Sequence, residues 1–133
     1  MSYSNYAHAA TAYREREVLT ASPARLVVLV YDHVLANLQR ARVAREAKKL
    51  DISLEALNKA REGIAELLVT LDVERGGAIA RNLQSLYTFM LTELVDGARI
   101  DARRLERITG MVSDLREAFS SIATDGTARV SAA

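Results

Sequence analysis

The chain has 133 residues, half of them hydrophobic, which is enough to bury one core and sets a single domain as the default. The 18 Lys and Arg nearly cancel the 17 Asp and Glu, and a net charge of +1 gives no broad field for nucleic acid or an anionic membrane. Cysteine is absent, which removes disulfides, thiolate metal sites and cysteine nucleophiles together and fits a reducing cytoplasm.

Residues 1–22 read as a flexible N-terminal arm, with no basic segment leading into an apolar one as a secretory leader has. No later apolar run approaches the ~18 residues of a membrane span, so the expectation is a cytoplasmic protein without membrane insertion. Ser22 before Pro23 predicts an N-cap with proline at the first helical position, where its missing N–H costs nothing. Helix 1 then runs to about Ala47, and Lys48-Lys49-Leu50-Asp51 forms a polar turn in which Asp51 or Ser53 caps helix 2. Helix 2 continues to about Val73, and Gly76-Gly77 breaks the chain before helix 3, which covers roughly Ala78 to Asp96. Gly97 is placed to cap its C-terminus, and Asp101 to cap a fourth helix reaching about Ala123. Four helices of about 20 residues joined by short turns predict an all-α, antiparallel up-down-up-down bundle over residues 23–124, with a disordered tail at 125–133.

Helical wheels show unequal amphipathicity. Helix 4 has a narrow seam of Leu105, Ile108, Val112, Leu115, Phe119 and Ile122, and helix 2 a similar stripe through Leu57, Ala60, Ile64, Leu67, Leu68 and Leu71. Helix 1 has its stripe at Val27, Val30, Tyr31, Val34, Leu38 and Ala41, yet Leu26, Val28 and Leu35 sit on the flanks and Leu29 points away. Helix 3 adds Phe89, Leu91 and Val95 outside a stripe of Ile79, Leu83, Leu86, Tyr87, Met90 and Leu94. Each large apolar side chain withdrawn from water is worth roughly 1.5–3 kcal/mol, so a surplus of this size calls for a cover. Imperfect packing or the arm itself, with Tyr3, Tyr6 and Tyr13, meets that demand as well as a binding partner does.

Reactive side chains offer little beside this. His8 lies in the arm, and His33 on helix 1 lacks the following lysine and glycine usual in a phosphotransfer bundle, which is the alternative reading of the chain. No Glu has His three positions later, as a carboxylate-bridged metal bundle needs, and Gly76-Gly77 lacks the lysine and hydroxyl of a phosphate loop. The reading is therefore of a protein that is not an enzyme and needs neither cofactor nor metal.

Two stretches carry a family resemblance. One joins Tyr13, Val18, Thr20-Ala21-Ser22-Pro23 and Leu26 to the Tyr31-Asp32 pair; the other, the more specific, is LDVERGGAIARNLQSLYTFM at residues 71–90. Together they resemble the flagellar secretion chaperone family FliS from about Tyr13 to Ala123, with departures at His33-Val34, where a small pair is common, and at Thr88, where an acid often follows the tyrosine. The resemblance implies a four-helix-bundle chaperone that binds the disordered C-terminal segment of flagellin in the cytosol, blocks premature filament assembly and delivers it to a flagellar export gate component. The wheels assign the client surface to Leu26, Val28, Leu29, Leu35, Phe89, Leu91 and Val95, with Tyr6 and Tyr13 of the arm covering apolar sites until the client arrives.

Overall fold

Ser22 starts the described structure: its Oγ accepts the Arg25 N–H at 3.2 Å, and Pro23 follows at the first helical position. The computed structural model describes residues 22–132, with side chains as far as Thr124. Four helices follow in order, α1 Pro23–Glu46, α2 Leu50–Thr70, α3 Val73–Val95 and α4 Ala102–Ala132, with a short 3-10 turn Gly97–Arg99 between the last two. Among the described residues there is no strand, and the all-α bundle is the one expected from the short connections.

The caps show where the turns were legible. Asp101 Oδ1 accepts the Arg104 N–H at 2.8 Å and begins α4, while Gly97 adopts a positive φ of 52° just after α3. Neither Asp51 nor Ser53 caps α2, because the Ser53 hydroxyl donates instead to the Ala41 carbonyl at 3.0 Å and ties α2 to α1. The α2–α3 break comes earlier than the two glycines, since Asp72 accepts the Arg75 N–H at 3.1 Å and starts a new helix at Val73. Gly77 then kinks α3 with φ 57° and ψ −134°, a conformation that a Cβ forbids. At the other end, α4 runs on to Ala132 through the stretch expected to be a polar tail. One internal Gly costs a nucleated helix only about 1 kcal/mol, and no proline follows to stop it.

Helix α1 packs closely along both α2 and α4, and α2 along α3, which places α1 and α3 on one diagonal of the ring. The core draws Tyr31, Val34 and Leu38 from α1, Leu57, Ala60 and Ile64 from α2, Leu83, Tyr87 and Met90 from α3, and Leu105, Ile108 and Val112 from α4. Gly63 lets α1 and α2 approach, for a Cβ there would lie 2.7 Å from a Val34 methyl. Asp32 and Arg116, joined at 2.6 Å, set the register of α1 against α4.

The position of α1 accounts for its unbroken apolar run. A helix with two close neighbours buries more than one stripe. Val28 lies one turn before Asp32 on the ridge that faces α4, and it is completely buried, not part of an exposed surplus. Leu35, on the same flank, is half-buried against the core.

Candidate functional site

Of the four neighbouring helix pairs in the ring, α3 and α4 are the pair whose backbones do not approach closely. What spans them at one end is charge. Arg104 of α4 donates to Glu93 and to Asp96, each at 2.5 Å, which raises the guanidinium pKa further through the hydrogen bonds to Asp96 and then Glu93.

This ion pair identifies the two facing ridges. On α3, Leu86 and Ile79 precede Glu93 by two and four turns and share its face; on α4, Met111, Leu115 and Ile122 share the face of Arg104. The seam between them is therefore largely aliphatic, interrupted on α3 by the exposed Asn82, and bridged by charge at the Arg104 end. Leu86, Met111 and Leu115 are partly buried against the core and form its floor, whereas Ile79 is 74% exposed and Ile122 54% at the far end. Large aliphatic side chains standing this far into water, in line with half-covered ones, leave apolar surface uncovered among the described residues.

Among the described residues, one buried pair of side-chain polar groups links α1 to α3. The Tyr31 and Tyr87 hydroxyls hydrogen-bond to each other, and the Phe119 ring packs 5.6 Å from that of Tyr31 at 53°. Burial pushes both phenols well above the usual tyrosine range, so both stay neutral and each hydroxyl satisfies the other.

The expected client residues do not form one surface. Leu26 and Leu29 are half-buried on α1, Val28 is inside, and Leu35 and Leu91 pack against the core. Phe89, one turn beyond Leu86, is exposed at the outer rim of the seam, while Val95, 65% exposed, belongs to the opposite flank of α3, toward α2. Tyr6 and Tyr13 lie outside the described residues. Ile79, Leu86, Leu115 and Ile122 escaped the wheels because stripe positions look alike whether or not the facing helix closes on them, and Met111 because it falls outside the helix 4 seam. The signal present was the charged pair Glu93 and Arg104 on those same ridges.

His33 is exposed on α1, and the Asn37 side-chain amide donates to its backbone carbonyl at 3.0 Å. Among the described residues no group of His, Asp or Glu is arranged to hold a metal ion, and no helix is long and apolar enough to cross a membrane.

The described residues thus define a class: an all-α four-helix bundle whose α3–α4 face carries exposed and half-buried aliphatic side chains. The chain belongs to the flagellar protein FliS family, whose family model matches residues 5–126. It is 37% identical over 110 residues to the flagellar secretion chaperone FliS of Salmonella typhimurium, covering 81% of this chain and 82% of the relative. It is also 31% identical to FliS of Bacillus subtilis, over 82% and 81% of the two chains, and 31% identical to FliSB of Pseudomonas aeruginosa, over 81% and 86%.

Proposed function

We propose that this chain is a non-enzymatic, cytoplasmic export chaperone that binds the C-terminal segment of flagellin, prevents its premature polymerisation and delivers it to the flagellar type III secretion apparatus. The observation that carries the reading is the α3–α4 seam, where Ile79 and Ile122 stand exposed in line with the half-covered Leu86, Met111 and Leu115. Its relatives' names, flagellar secretion chaperones, support a role in flagellar secretion. An amphipathic segment destined to bury its apolar face in a filament finds in such a seam a substitute for its future neighbour. A chain that folds on binding must offset its ordering entropy with a large interface, commonly ~1,000–3,000 Å². The seam is one part of that area, and the outer faces of α1 and α3 at Leu29 and Phe89 extend it.

The test is titration of the full chain with a peptide of the last ~40–50 residues of flagellin, a length able to follow more than one helix of about 30 Å. Saturable binding with a strongly negative heat-capacity change is expected. Absence of binding, with the protein folded, overturns the reading.

A further inference from the structure

We infer that Arg104 is a positioning residue for the client seam: by bridging α4 to two carboxylates of α3, it sets the separation and the rotation at which the two facing ridges stand. The inference rests on the seam as the client surface proposed above, and gives that surface a control that lies outside the aliphatic contact itself.

Helices in a bundle ordinarily fix their spacing by interlocking side chains along a close approach. Helix α1 has that support from α2 and α4, and α2 has it from α3, but α3 and α4 do not approach closely. Their spacing therefore falls to the connection that joins them and to side chains that reach across. The connection is well anchored, with Ile100 fully buried in the core and Gly97 against the Leu54 side chain. An anchored end fixes a point, yet a helix pinned at one point is still free to splay and to turn about its axis.

Arg104 opposes both motions. Its backbone N–H donates to Asp101 Oδ1 at 2.8 Å, which seats it in the first turn of α4. Its side chain then crosses to α3, where Nε donates to Glu93 Oε2 and Nη2 to Asp96 Oδ2, each at 2.5 Å. Two acceptors on successive turns of the α3 backbone hold a planar fork in orientation as well as in distance, which a single-point ammonium does not do. Arg104 and Glu93 are both partly buried, so water and salt screen this pair less than a surface pair. About three turns further along α4, Arg116 bonds Asp32 of α1 at 2.6 Å. One arginine thus ties α4 to α3 and another ties it to α1. Met111, Leu115 and Ile122 share the ridge of Arg104, so the orientation that the fork fixes is also the orientation that aims them at Leu86 and Ile79. A gap held at one width spares the client the cost of ordering it, and support of this kind governs affinity without touching the ligand.

The experiment pairs titration with the flagellin peptide and distance measurement by double electron–electron resonance on the full chain. Cysteine is absent, so nitroxide labels attach only where it is introduced. Ser85→Cys/Asp114→Cys, both exposed, reports the α3–α4 separation, and Ala36→Cys/Asn58→Cys, also exposed, the α1–α2 separation as a control. Arg104→Gln should broaden the α3–α4 distances, leave the α1–α2 distances and the circular dichroism unchanged, and weaken peptide binding about fivefold. Glu93→Gln/Asp96→Asn should do the same although it changes the net charge in the opposite direction, which separates positioning from direct attraction of the client. Arg104→Lys keeps the charge without the fork and should recover only part of the loss. The inference is overturned if Arg104→Gln leaves the α3–α4 distances as they were, if both label pairs broaden together, or if Arg104→Lys binds the peptide as the wild type does. Failure of the wild type to bind the peptide overturns the client reading instead, and the label distances still decide whether Arg104 sets the seam.

Discussion

The hydroxyls of Tyr31 and Tyr87 meet across the bundle diagonal, joining α1 to α3, two helices whose backbones do not pack closely. Each is the other's hydrogen-bond partner in a buried site. Tyr31→Phe therefore strands the Tyr87 hydroxyl and should cost about 1–3 kcal/mol in urea unfolding, whereas Tyr31→Phe/Tyr87→Phe removes both polar groups and should recover most of that loss. Burial raises both phenol pKa values above the ordinary 10.0. The unfolded chain then ionises first as pH rises, so the contribution is fully present below pH 10 and is lost above it. Wild-type stability should fall more steeply above pH 10 than that of the double phenylalanine variant; parallel curves would refute the buried pair.

Val28 and Ile79 make a second comparison, because both are apolar and the wheels assigned them to opposite roles. Val28, placed outside the stripe, is completely buried; Ile79, placed in the stripe, is 74% exposed. Val28→Ala should lower stability by about 2 kcal/mol through lost burial and the cavity left behind. Ile79→Ser should change stability by no more than about 0.5 kcal/mol, yet weaken flagellin-peptide binding about tenfold. If Ile79→Ser unfolds the bundle while leaving affinity intact, the seam is core and not a client site.

Lys48 supplies a third. The Lys48 N–H donates to the Arg45 carbonyl and the Lys49 N–H to the Ala44 carbonyl at 2.8 Å, the bonds of a Schellman ending in which glycine normally takes the left-handed position. Lys48→Gly should raise stability by about 1 kcal/mol, measured by chemical unfolding, since it relieves the Cβ conflict.

These cases show what the sequence made legible. Local chemistry was readable: Ser22-Pro23, Gly97 and Asp101 act where their side chains or missing Cβ atoms dictate, because a cap depends on a few adjacent residues. Asp72 had the same cap chemistry but was masked by the stronger punctuation of Gly76-Gly77, which proved to bend a helix and not to start one. How closely two helices approach is a different kind of fact. Leu115 and Val112 are both stripe positions of α4, yet only Val112 is fully buried, because it faces the centre and Leu115 faces the seam. Periodicity reports which face of a helix is apolar; it carries no information on whether the neighbour across that face closes.

The arm gives the last prediction. Residues 1–21 carry Tyr3, Tyr6 and Tyr13, and tyrosine suits temporary cover because its ring buries well while its hydroxyl tolerates water. Ser22 and Pro23 fix where this segment joins α1, and the Asp32–Arg116 register brings that junction level with the far part of α4 that carries the exposed Ile122. A segment tethered there competes with a client at an effective concentration that reaches the millimolar range, so even a weak self-contact lowers the client's apparent affinity. Deleting residues 1–16 should therefore raise the association rate of the flagellin peptide in stopped-flow mixing, with dissociation unchanged. Faster dissociation in the truncated protein would instead mean that the arm holds the client directly. Unchanged rate constants, together with unprotected amide exchange from Tyr6 to Val18 in the free protein, would exclude any role for Tyr6 and Tyr13 in covering the bundle.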